Sequence, residues 1–76
     1  MKKYVFCVFD RYEVVGSDIE IVESDKENCR EVLVYCINKL WGDIIVEEDY
    51  GDRIMVEGNS CGLDLDEESY LVKQIL

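Results

Sequence analysis

The sequence predicts an α+β domain of order β-β-α-β-β-α, with a mainly antiparallel sheet packed by one long amphipathic helix and a short C-terminal helix. Three observations carry this expectation. At 76 residues, 49% of them hydrophobic, the chain suffices for a single domain over 1–76 with one modest core. One stretch repeats its apolar residues at helical spacing between a capping signal and a glycine. The other apolar runs are short and do not recur as the regular strand–helix–strand units of a parallel sheet.

Lys3 to Phe9 is apolar on both faces, as an interior strand would be. A basic start followed by an apolar run also resembles a signal peptide. The run ends at Asp10-Arg11 without a small-residue cleavage site, so it reads as the first strand. A second strand is expected over Glu13 to Val22, where Ile19 and Ile21 alternate with Glu20. Gly16-Ser17-Asp18 interrupts it, as a bulge or as a turn.

The helix is expected from Asp25 to Trp41. Ser24 and Glu27 stand at capping-box spacing, where each side chain satisfies a free backbone N–H. Cys29, Val32, Leu33, Cys36, Ile37 and Leu40 then form one face, and Gly42 stands at a left-handed C-terminal position. Val34 and Trp41 widen the apolar arc, which predicts a second neighbour besides the sheet, the C-terminal helix. Ile44–Glu48 and Arg53–Glu57 read as a hairpin joined by Asp49-Tyr50-Gly51-Asp52, with Gly51 free to take positive φ. Gly58-Asn59-Ser60 and Gly62 mark a loop. The last helix is expected from Asp66 to Ile75, with acids at its positive start, Lys73 at its negative end, and Leu71, Val72, Ile75 and Leu76 buried. On the sheet's second face, Val5, Cys7, Phe9, Ile45 and Met55 would meet, rimmed by Glu20, Glu47 and Glu57. If no helix covers that face, it exposes an apolar patch large enough to mark an interface.

Composition excludes several chemistries. No stretch approaches the roughly 18–20 apolar residues of a membrane span. Cys7, Cys29, Cys36 and Cys61 include no C-x-x-C pair, and Cys29 and Cys36 stand about 10 Å apart along the helix, too far for a disulfide. Reduced, mostly buried thiols in a cytoplasmic protein are expected, with Cys61 alone in a loop where it can be reached. The chain lacks His, which removes Ser-His and Cys-His pairs and His-based metal sites. It has no phosphate-loop, dinucleotide or nucleophile-elbow motif, and no calcium-loop pattern. No enzyme activity, cofactor or metal is expected. Absence of Ala and Pro, whose codons are GC-rich, beside heavy Ile and Asp usage fits a low-GC bacterial or phage genome.

The formal charge is −10, from 18 acids against 8 bases. The acids fall at Asp18 to Glu27, at Glu47, Glu48, Asp49 and Asp52, and at Asp64, Asp66, Glu67 and Glu68. Such charge argues against direct binding of nucleic acid or of anionic membranes. It serves solubility, or it docks on a basic surface by standing where phosphates would lie. For docking, Tyr50 among the acids of the expected hairpin tip is the best aromatic anchor, ahead of Tyr12, Tyr35 and Tyr70. The expected partner-binding set is therefore Glu47, Glu48, Asp49, Tyr50, Asp52, Asp64, Asp66, Glu67 and Glu68.

In length, net charge, residue usage and lack of a catalytic set, the chain resembles the small acidic proteins that phages use against host defences, anti-CRISPR proteins and DNA mimics among them. That resemblance implies stoichiometric inhibition of a defence effector, in the host cytoplasm, by occupying its basic nucleic-acid-binding surface. The alternative expectation is a small bacterial interaction or regulatory module, homodimeric in one form, whose acidity serves solubility alone.

Overall fold

A computed structural model of the chain describes residues 1–10, 18–42 and 45–75. The interruption expected at Gly16 and Ser17, the early part of the predicted second strand, Ile44 and Leu76 lie outside them. The elements run β1 (Lys2–Asp10), β2 (Asp18–Ser24), α1 (Cys29–Trp41), α2 (Val46–Tyr50), a single 3₁₀ turn (Gly51–Arg53), β3 (Met55–Glu57), β4 (Ser60–Leu65) and β5 (Glu68–Gln74). All strand pairings are antiparallel, in the spatial order β2-β1-β5-β4-β3. The α+β class and the antiparallel sheet match expectation, but the element order does not. No helix is long and apolar enough to cross a membrane, among the described residues.

One face of the sheet carries the core. Tyr4 and Phe6 of β1, Cys61, Leu63 and Leu65 of β4, and Tyr70 and Val72 of β5 are buried beneath α1. From α1 come Cys29, Val32, Leu33, Cys36 and Ile37, five of the six positions of the predicted face. Leu40, the sixth, is exposed. Each fully buried Leu or Ile contributes about 1.5–3 kcal/mol relative to an exposed one. The rings of Phe6 and Tyr70 stack with centroids 6.2 Å apart.

The helix begins later than its capping signal suggested. Ser24 is the last residue of β2, and its Oγ accepts from the Lys26 N–H instead. Tyr4 Oη donates to the Lys26 carbonyl and Lys2 Nζ to the Glu27 carbonyl, which ties this segment to β1 and keeps it out of the helix. Asn28 takes over as the cap: its Oδ1 accepts from the Glu31 N–H at 3.0 Å, while Glu31 accepts from the Glu27 N–H. Asn28→Ala should therefore cost about 1 kcal/mol, read as a lower urea midpoint at unchanged slope. Ser24→Ala should cost distinctly less; the reverse ranking would restore the predicted start. At the other end Gly42 does close the helix, at φ 72, with its N–H on the Asn38 carbonyl.

The second half of the chain departs most from expectation. Where a strand was predicted over Ile44–Glu48, Val46–Tyr50 is helical, because Val46 and Tyr50 sit four apart and both turn toward the core. Asp49 Oδ2 accepts from the Ile45 N–H, which holds the first turn. Gly51 has φ −55 and needs no left-handed freedom. The expected hairpin at Glu47–Asp52 thus does not exist. A hairpin forms one element later, between β3 and β4, around the two-residue turn Gly58-Asn59 with Gly58 at φ 60. Ser60–Leu65, expected in part as loop, is strand β4.

The predicted C-terminal helix is strand β5. Tyr70 and Val72 are buried while Leu71 and Lys73 point away, a period of two rather than 3.6. Asp66, Glu67 and Glu68, assigned to a helix start, instead form the β4–β5 turn and the first residue of β5. Asp66 takes φ 53, a left-handed conformation that Asp tolerates. A short helix here would have left β1 and β4 without the strand that joins them. Without that helix, α1 finds its further neighbour in α2.

Candidate binding surfaces

Antiparallel pairing gathers acids at one end of the sheet. β1 ends at Asp10, which pairs with Glu68 at the start of β5. β2 begins at Asp18, opposite Val8. Between β4 and β5 the turn carries Asp66 and Glu67, with Asp64 one step behind. Among the described residues six carboxylates, from four strands and the β4–β5 turn, therefore share this end. Lys2, Lys3 and Lys73 lie at the opposite end, with Lys26 beside them. The negative C-terminal end of α1 also points to the acidic end, adding roughly half an elementary charge.

A groove of about 340 Å³ opens among these acids. Asp10, Asp18 and Glu68 surround a floor of Leu40, Trp41 and Tyr70. Trp41 Nε1 donates to Tyr70 Oη at 2.8 Å, and Tyr70 Oη donates to Glu68 Oε2 at 2.6 Å. Burial, then the neighbouring Glu68 carboxylate, pushes the Tyr70 hydroxyl up to about 12, so it remains a donor at neutral pH. Trp41 stays 43% exposed. Carboxylates around an indole suit a Lys or Arg side chain, which pairs with the acids and lies over the ring. Of this set Glu68 was expected in the binding surface, and Tyr70 only as a weaker anchor. Asp10 and Asp18 are distant in sequence and meet only through strand pairing.

The other expected cluster is structurally occupied. Glu47 forms an ion pair with Arg30 of α1, whose Nη2 also donates to the Gly51 carbonyl at 2.9 Å. Asp49 caps its own helix. Tyr50, the expected anchor, packs against the core with the Arg53 guanidinium 5.6 Å over its ring. Glu48 and Asp52 remain on the surface of this unit. Its four acids are thus offset by Arg30 and Arg53, whereas among the described residues Asp64, Asp66 and Glu67 face no base within the β4–β5 pairing.

All four cysteines are free and buried. Cys61, expected in a reachable loop, lies on β4 beside Cys29, and burial followed by that neighbour raises its thiol pKa. Burial pushes the Cys36 thiol up to about 11. Cys36 and Tyr70 therefore hold their protons more tightly folded than unfolded. Their contribution to stability is fully present below pH 9 and is lost as pH rises toward about 11 and 12. Melting temperature should be level from pH 7 to 9 and fall above it; a level profile to pH 11 would contradict the burial of both groups. Among the described residues no three Cys, Asp or Glu side chains converge as metal ligands would.

The sheet's far face is open. By register Val5, Cys7, Phe9, Ile19, Ile21, Met55 and Leu71 project from it, away from α1. Four of the five residues expected there are present. The fifth, Ile45, precedes α2, and Glu20 and Glu47 belong to the helix side. No helix covers it among the described residues, since both helices lie on the opposite side. No family model, curated protein or solved structure matches the chain.

Proposed function

We propose that this chain is a non-catalytic acidic binding protein that docks on the basic, nucleic-acid-binding surface of a protein partner. Such a role is that of a phage or mobile-element inhibitor acting on a host defence effector in the cytoplasm. One observation carries the reading: Asp10, Asp18, Asp64, Asp66, Glu67 and Glu68 share one end of the sheet, with the C-terminus of α1 behind them. Concentrated charge of one sign steers a partner of the other sign and orients it on arrival. Charge alone gives rate rather than lifetime, and the half-exposed Trp41 supplies the apolar anchor that Tyr50 cannot.

The test is capture from the native host at low salt, at ~0.5 M salt, and with excess duplex DNA. At that salt the screening length falls to roughly 4 Å. A nucleic-acid-binding protein should be retained at low salt and released by both salt and DNA. Capture indifferent to both would overturn the reading.

A further inference from the structure

We infer that the open face of the sheet is the seat of a second copy of this chain. The face is continuous: Ile19, Cys7, Leu71, Gly62 and Met55 form one row across all five strands. Val5 and Ile21 stand in the row above, Phe9 in the row below. Ile19, Ile21 and Met55 are 69%, 57% and 67% exposed, so a large part of their apolar surface meets water.

Charge selects the occupant. The chain carries −10 in total, yet among the described residues this face holds two lysines, Lys3 and Lys73, against three acids, Glu23, Glu57 and Asp64. Lys3 and Glu23 already face each other at 3.8 Å. Two copies of a strongly acidic protein repel one another on most approaches, and across this face the local repulsion is smallest. A two-fold axis along the central row adds attraction. It reverses the strands of one copy over the other, bringing Lys73, one row above the axis, to the level of Asp64, one row below it on the adjacent strand. The alternative of joining edge to edge through β2 would bring together two edges that each carry Asp18, Glu20 and Glu23 with no base among them, which is how charged edges prevent pairing.

Size agrees. The 32 strand residues, at about 3.3 Å rise and about 4.8 Å spacing, give a footprint of roughly 500 Å². Side-chain relief raises the accessible area toward the ~800 Å² per partner of a standard interface. The two sheets would pack face to face about 10 Å apart, with both α1 helices outside. Of the acidic end only Asp64 enters this contact; Asp10, Asp18, Asp66, Glu67 and Glu68 stay uncovered, so this inference does not depend on the proposed function.

Sedimentation equilibrium tests it, with the chain loaded from about 1 to 100 μM, the range that populates a dimer of micromolar or tighter Kd. Wild type should show the mass of two chains at low salt and at ~0.5 M, because apolar burial carries the contact while salt screens the Lys73–Asp64 attraction and the remaining repulsion together. Ile21→Lys and Met55→Lys, made separately at opposite sides of the face, should each give the mass of one chain with an unchanged far-ultraviolet spectrum. Both positions are exposed in the isolated chain, so folding does not require them. Wild type at the mass of one chain throughout would overturn the inference. So would two-chain mass retained by both folded variants, which would place the contact elsewhere. Partner capture at low salt should be unaffected by either substitution, which separates failure of this dimer from failure of the acidic docking end.

Discussion

Leu33→Ala is expected to destabilise the protein by about 3 kcal/mol, the usual cost of removing a fully buried leucine that its neighbours cannot replace. Leu33 is completely buried at the middle of α1, over the β4 and β5 core residues. A chain of this length has only about 4–11 kcal/mol in total. The midpoint of thermal unfolding should therefore fall by about 12–24 °C. The matched control is Leu71→Ala, on the open face and 38% exposed, which should cost less than about 1 kcal/mol when both substitutions are made in the one-chain Ile21→Lys background. The comparison decides the architecture. On the predicted C-terminal helix Leu71 would have been core, and its truncation would have ranked with that of Leu33. Equal costs for the two would reinstate that helix.

The second large effect concerns binding. Asp18→Lys, Asp64→Lys, Asp66→Asn and Glu67→Lys together should weaken capture of a basic partner by about 100-fold at low salt and far less at ~0.5 M, where the charges are screened. Asn at position 66 keeps a residue suited to φ 53. Glu68 is left in place because its carboxylate accepts a hydrogen bond from the Tyr70 hydroxyl. The melting temperature should hold or rise, since like charges are being removed. Reversing Glu48 and Asp52 alone should have a much smaller effect, as those acids share their surface with Arg30 and Arg53. An unchanged affinity in the first variant, or equal losses in both, would remove the acidic sheet end as the docking site.

Which parts of this molecule could be read from sequence follows from where the periodicity is long. β1 is nine residues and α1 thirteen, and over such lengths one period outcompetes the other. Beyond Gly42 no regular element exceeds seven residues. In Asp66 to Ile75 the acids at the start and the lysine near the end satisfy helix-dipole rules, while Tyr70 and Val72 satisfy strand alternation. Local rules were evenly matched, and the unpaired edges of β1 and β4 decided for the strand. The same short range misplaced the helix cap by four residues, because Ser24 obeys the spacing rule but is held in β2. For the candidate site, the acids at the β4–β5 turn were legible as charge. Their union with Asp10, Asp18 and Trp41 was not, because it depends on which strands lie side by side.

The strand order has a consequence for how the chain is made. β5 comes last among the five strands, yet it is the middle one, with β1 on one side and β4 on the other. Until it emerges from the ribosome, only two separate fragments exist, the β1–β2 pair and the β3–β4 pair, with α1 between them and half a floor to rest on. Isolated hairpins of this kind are at best marginally stable in water. Joining β1 to β5 brings together residues at opposite ends of the described chain, a pairing that must pay the loop-closure entropy before any core is gained. The protein therefore acquires its fold in one late, cooperative step, and everything the sheet presents, its acidic end and its open face alike, appears together or not at all.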